Sequence, residues 1–228
     1  MKHSKKYNNS LSLIDQKKRY DVNEACSLAK KTSITKYDST IRASFKLNVD
    51  PKQADQQIRG ALVLPNGTGK TQKVLVITSG AKEEEAKNAG ADFVGGKEAC
   101  EKIKTGWLDF DVIVATPDMM GELGKLGKVL GPKGLMPNPK TGTVTMNVAQ
   151  AVSDVKKGKI EYRVDKDGNI NCNIGKASFS ENAIAENFNT LYNAIKKARP
   201  SSVKGAYIQN VSLSSDMGPG IKVVFSND

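Results

Sequence analysis

The sequence predicts a mixed α+β domain assembled from both chain ends, with a small α/β unit inserted between them. Three observations predict this. Between residues 66 and 157, short β-branched runs alternate with helical periodicity, the pattern of right-handed βαβ crossovers around a parallel sheet covered on both faces. On either side, an alternating strand, a hairpin signature and one long amphipathic helix follow a different pattern. The charge divides the same way: residues 66–157 carry 13 Lys+Arg against 11 Asp+Glu, and the flanks carry 22 against 13, so most of the net +11 lies in the flanks. A basic composition alone would spread evenly. An excess gathered on one part of the chain marks a polyanionic partner, nucleic acid first.

The elements follow in order. Residues 22–31 (VNEACSLAKK) have helical spacing, and residues 40–49 read as a strand whose Thr40, Arg42, Ser44 and Lys46 share one face. Asp50-Pro51 opens a helix running to about Arg59. Pro65, Asn66, Gly67 and Gly69 form a turn into the strand at 73–78. Then come a helix at 82–88, a short strand at Phe93 and Val94, a helix at 97–105, a strand at 112–115, a helix from about Asp118 and a helix at 147–157. IEYRV and NINCNI, joined through Asp165-Lys166-Asp167-Gly168, read as a hairpin with Gly168 supplying positive φ. Ser180 caps a helix with Ile184, Phe188, Leu191, Tyr192 and Ile195 on one face, ended by Arg199-Pro200. AYIQNVSLSS and IKVVF close the chain as a strand pair around Gly-Pro-Gly. The domains are expected at 1–65 with 158–228, and at 66–157, with a hinge where the chain crosses between them.

Several chemistries are excluded. NGTGKT resembles a phosphate loop, but the first glycine of that motif would fall at Leu64, and a strand rather than a helix follows Thr71. Cys26, Cys100 and Cys172 lie far apart and read as buried thiols, not as a zinc site or a disulfide framework. The one histidine, His3, sits in an N-terminal tail expected to be mobile, which removes most histidine and metal chemistry. Asp165 and Asp167 resemble calcium-loop ligands, but Arg163 and Ile174 stand where the first and last ligands belong. An enzyme binding a nucleotide at the strand ends of the inserted unit finds neither GxGxxG nor a catalytic cluster. No run reaches the roughly 18 apolar residues of a membrane span, so a soluble intracellular protein is expected.

Two loops invite a binding role. Residues 124–144, GKLGKVLGPKGLMPNPKTGTV, combine repeated Gly and Pro with Lys125, Lys128, Lys133 and Lys140, which could meet phosphates. Residues 214–223, SSDMGPGIKV, form a glycine-rich turn presenting Met217, where small residues would let a nucleic-acid backbone approach, and which reads equally well as a simple hairpin turn.

The runs KLNVDPKQADQQIRGALVLPNGTGK, AGADFVGG, GWLDFDVIVATPDMMGELGKLGKVLGPKGLMPNPKTGTV, GKASF and MGPGIKV follow one another as in the L-one family of large-subunit ribosomal proteins of bacteria. The chain resembles that family over essentially its whole length. The resemblance implies a two-layer α+β domain built from both termini and an inserted Rossmann-like three-layer α/β domain with a parallel sheet. It implies no enzymatic activity, no cofactor and no metal. The partners it implies are the large-subunit rRNA of the mobile stalk near the E site, E-site tRNA whose deacylated form it helps release, and its own operon mRNA, whose translation it represses. It implies a monomer when free, located on a cytoplasmic ribosome or in an organelle matrix or stroma. On this resemblance the RNA-binding residues are Tyr37, Thr40, Arg42, Ser44, Lys46, Asp216, Met217 and Gly218, with secondary rRNA or tRNA contacts at Lys52, Arg59, Lys133 and Lys140. Asp216 stands where the family has Thr, which places a carboxylate beside RNA phosphates. Its charge then needs relief from a cation such as Arg42, from a bound ion, or from use as an acceptor for a 2′-hydroxyl. Replacing Met217 or Gly218 is expected to weaken RNA binding with the fold intact.

Overall fold

The structure, a computed structural model, describes residues 3–80 and 82–226. In chain order the elements are α1 (Lys5–Leu11), α2 (Val22–Lys31), β1 (Thr40–Leu47), β2 (Arg59–Val63), β3 (Val74–Ile77), α3 (Lys82–Asn88), β4 (Phe93–Gly95), α4 (Lys97–Lys104) and β5 (Val112–Ala115). They continue with α5 (Met120–Lys125), α6 (Gly127–Leu130), α7 (Val148–Lys156), β6 (Lys159–Arg163), β7 (Asn169–Lys176), α8 (Glu181–Lys197), β8 (Ile208–Ser215) and β9 (Ile221–Lys222). They gather into two compact units: the residues before 70 together with those from 160 onward, and residues 70–159.

In the first unit, β1 lies inside a four-stranded antiparallel sheet of order β7-β1-β8-β9. Side chains alternate across a strand, so Ile41, Ala43, Phe45 and Leu47 are all buried on one face, together with Ile170, Cys172, Ile174, Val211, Leu213 and Ile221. Against this face pack α2, through Ala25, Cys26 and Ala29, and α8, through Ile184, Phe188, Leu191 and Ile195. Phe45 and Phe188 stack at 5.9 Å between centroids, and each such buried side chain contributes roughly 1.5–3 kcal/mol. The caps the sequence calls for are present: Asp21 accepts the Asn23 N–H, and Ser180 accepts the Ala183 N–H.

Three expectations in this unit are corrected. The helix opened by Asp50-Pro51 shrinks to a single 3-10 turn, Ala54–Gln56. Side chains capture the backbone donors there, the Asp50 N–H going to Gln56 Oε1 at 2.8 Å and the Lys52 N–H to Asp50 Oδ1 at 3.0 Å. Arg59, expected at the helix end, opens β2, which pairs with β6 in a separate two-stranded sheet. The 165–168 turn forms, with Gly168 at φ 76° and Asp165 Oδ1 accepting the N–H groups of Asp167 and Asn169. Its strands part after one bridge, Val164 to Ile170, because β7 joins β1, where Ile170, Cys172 and Ile174 reach the core. The N-terminal tail is helical in α1, capped by Ser4, and His3 stacks on Tyr7 at 4.4 Å.

In the second unit, β4-β3-β5 form a parallel sheet. Leu75, Ile77, Ile113 and Ala115 pack on one side with Ile103, Leu123, Leu126 and Leu130. Val74, Val76 and Val114 pack on the other with Ala86, Val148, Val152 and Val155. Near-continuous β-branched runs are what a sheet buried on both faces requires. The NGTGKT segment leads into β3, and Lys70 pairs with Asp111, so nothing of a phosphate loop remains. Residues 124–144 are more ordered than their Gly and Pro content suggests. Leu126 and Leu130 are buried, Asn138 caps a turn at Pro139–Thr141, and Val144 returns to bridge Ala115 beside β5. All three cysteines are buried and free.

Candidate nucleic-acid interface

The sheet of the first unit has a second face, opposite the helices. Directly opposed residues in antiparallel strands point to the same side, so the register defines this face row by row. Lys176 stands opposite Thr40; Asn173, Arg42 and Ser214 form the next row. Asn171, Ser44, Ser212 and Lys222 follow, and then Asn169, Lys46 and Asn210. The four strands contain no acidic residue. Short amides and hydroxyls interspersed with Lys and Arg suit phosphates and ribose hydroxyls, which need donors and cations over a wide, shallow surface.

At the Thr40 end of β1 the chain makes the turn Ser215–Gly218, closed by the Gly218 N–H to Ser215 O at 3.0 Å. The Asp216 carboxylate accepts the Thr40 N–H at 3.0 Å and pairs with the Arg42 guanidinium at 3.1 Å, while the Asp216 N–H returns to Thr40 O. Its charge is therefore met within the protein, by Arg42. Met217 has φ 61°, the only non-Gly residue with positive φ among the described residues, and is 74% exposed. A Cβ on Gly218 would lie 2.2 Å from Ser215 Oγ and 3.1 Å from Thr32 O. This glycine is demanded by packing against the end of α2, so the expectation that it can be replaced with the fold intact is corrected. Tyr37, 60% exposed, precedes β1 in a loop held by Ser33 to Ser39 at 2.7 Å and by Asp38, whose carboxylate accepts the N–H and hydroxyl of Ser178.

The first unit thus gathers Tyr37, Thr40, Arg42, Ser44, Lys46, Asp216, Met217 and Gly218 on this face and its Thr40 end. Lys46 donates to the Asp167 carbonyl. Of the secondary residues, Lys52 is exposed, and Arg59 is held by Glu161 at 2.6 Å. Lys133 and Lys140 are exposed in the other unit. Sequence reasoning did not single out Asn169, Asn171, Asn173, Lys176, Asn210 or Ser212, whereas Ser214 and Lys222 lie within the 214–223 loop it named. The alternation in NINCNI and NVSLSS carried the signal, but only the register places them beside Ser44. The second unit has a cleft of about 620 Å³ lined by Asp92, Glu98, Lys102 and Trp107. Asp92 is already committed there, accepting the Val74 N–H at 2.9 Å and facing Lys156 at 3.5 Å. Among the described residues no cluster of His, Cys, Asp and Glu could hold a metal ion, and no helix is long and apolar enough to cross a membrane.

A polar face carrying cations is the kind of surface with which a protein meets a nucleic-acid backbone. The family model described as Ribosomal protein L1p/L10e family matches residues 29–219, and the chain belongs to that family. It is a ribosomal protein of the large subunit that binds ribosomal RNA, in a family of structural rather than enzymatic proteins. The match takes in β1, β7, β8 and the Ser215–Gly218 turn, but not α1 or β9.

Proposed function

We propose that the outward face of β7-β1-β8, with Tyr37 and the Ser215–Gly218 turn, is the surface that binds ribosomal RNA, and that this RNA is the mobile stalk beside the E site. Arg42 and Lys46 meet phosphates, Thr40 and Ser44 meet ribose hydroxyls, and Met217 lays its side chain on a base or sugar face. Asp216 orients Arg42 rather than repelling the RNA. Lys52, Arg59, Lys133 and Lys140 make secondary contacts with rRNA or tRNA and assist release of deacylated tRNA. The same face binds a similar fold in the operon mRNA and represses its translation. Residues 66–157 act as an inserted domain, hinged at the two crossings, in a protein that is a monomer off the ribosome and works on the cytoplasmic or organellar ribosome.

The observation that carries this reading is Met217. A left-handed backbone at a non-glycine residue costs about 1–2 kcal/mol, and here it keeps an apolar side chain in solvent. Neither feature serves the core. The test is a salt-titrated competition between a stalk-RNA fragment and unrelated duplex RNA. Preference for the stalk at moderate ionic strength is expected, and equal binding to both would reduce the face to a bulk charge attractor.

A further inference from the structure

The polar face has a neighbour lined almost wholly by residues outside the family match. Between the N-terminal segment and the turn leading into β9 lies a cleft of about 410 Å³, lined by Tyr7, Asp15, Lys17, Pro219, Gly220 and Lys222, among others. Its walls are tied together. The Tyr20 N–H donates to Lys222 O and the Val224 N–H to Tyr20 O, both at 2.9 Å, which adds the 20s segment to the edge of β9. Tyr20 Oη accepts the Asp15 N–H at 2.8 Å, and Ile14 is buried beneath. The cleft is therefore preformed, and ordering it costs a ligand little.

Its chemistry is that of an RNA strand's partner. Lys17 and Lys222 are exposed, and the N-terminal segment that carries Lys17 also exposes Lys5, Lys6, Arg19 and Lys18, the last facing Glu24 at 3.6 Å. The one carboxylate lining it, Asp15, is turned to its own chain, accepting the Lys17 N–H at 2.9 Å. Tyr7 offers a ring face that already carries a planar partner, the exposed His3 imidazole at 4.4 Å. Lys222 also stands opposite Ser212, and Ser212 opposite Ser44, so this lysine belongs to the outward face and to the cleft at once.

We propose that this cleft is a second RNA contact, which takes up the strand running off the sheet face: Lys17 and Lys222 grip a phosphate, and a base stacks on Tyr7 in place of His3. The proposal rests on the reading of the sheet face as the rRNA surface. The test uses the full chain, a stalk-RNA fragment and a salt series, comparing wild type with Lys17→Ala/Lys222→Ala, Tyr7→Ala, Tyr7→Phe and Arg42→Ala. The double lysine variant is expected to lose affinity several-fold and to lower the salt slope by about 0.7–0.9 for each phosphate contact removed. Tyr7→Ala is expected to lose affinity at unchanged slope, with Tyr7→Phe restoring it and thermal melting unaltered in the lysine variant. Wild-type affinity and slope in both the lysine and Tyr7→Ala variants, alongside a weakened Arg42→Ala, would remove the cleft and leave the sheet face standing. A wild type that does not prefer stalk RNA would remove both.

Discussion

Single residues separate binding from folding most clearly at 217 and 218. Glycine at 217 would relieve the left-handed strain, so Met217→Gly is expected to stabilise the free protein by about 1 kcal/mol while weakening RNA binding. Melting temperature and affinity should move in opposite directions. Gly218→Ala should instead destabilise by about 1–3 kcal/mol, because Thr32 O is backbone and yields only if the end of α2 shifts. Burial pushes the Cys172 thiol up to about 12, and burial assisted by the Glu181 and Asp21 carboxylates does the same at Cys26. Both thiolates are thus suppressed at pH 8, and a thiol reagent should label these cysteines only once denaturant opens the fold. The exposure of Met217 was legible in the sequence as a methionine amid glycines. The packing that fixes Gly218 was not, since Thr32 lies 186 residues earlier.

Among elements, α8 shows how one buried side chain holds a chain crossing in place. Asn187, fully buried, accepts the Asn66 N–H at 3.1 Å and donates to Gly67 O at 3.0 Å and Ile174 O at 2.8 Å, joining helix, turn and edge strand. Asn187→Ala orphans all three groups and is expected to cost about 2–3 kcal/mol, read as a lower denaturant midpoint. In the parallel sheet, the Val74 N–H and then Lys156 hold the Asp92 carboxyl below its usual range, and the Lys70 ammonium and then the Lys73 N–H do the same for Asp111. A depressed folded value means the unfolded chain binds protons more readily. This stabilisation is full above about pH 4 and disappears as pH falls through the folded values. Both groups are largely solvated, so the effect is small, and acid titration of Asp92→Asn and Asp111→Asn variants should show a flatter loss of stability than wild type below that pH. Elements with strong period, such as β1, β3, β5 and α8, were legible from apolar spacing alone. The α1 helix was not, because KKYNNSL buries only Ser10 and depends on its Ser4 cap. Nor was β2, whose partner β6 lies about 100 residues away, and still longer separations hid the polar rows flanking β1.

At the scale of the molecule, the apolar side chains form separate cores in the two units: one cluster in the first and two flanking the parallel sheet in the second. Calorimetry is expected to resolve two unfolding transitions, only one of which rises when stalk RNA is added. A single transition would count against the inserted-domain reading. The compact units are residues up to 69 with 160 onward, and 70–159. The domains expected at 1–65 with 158–228 and at 66–157 rested on the element pattern and on the charge excess at the two ends of the sequence. The strand order could not be read there, and it governs how the protein comes into being. With β1 seated between β7 and β8, a growing chain holds its central strand unpaired until β7 follows about 120 residues later, and β1 gains its second neighbour only with β8. The parallel-sheet unit can close while synthesis continues, whereas the polar face of the four-stranded sheet completes itself only with the last strands. A product terminated before β8 would therefore lack the Ser215–Gly218 turn and the polar rows that β8 and β9 bring beside β1.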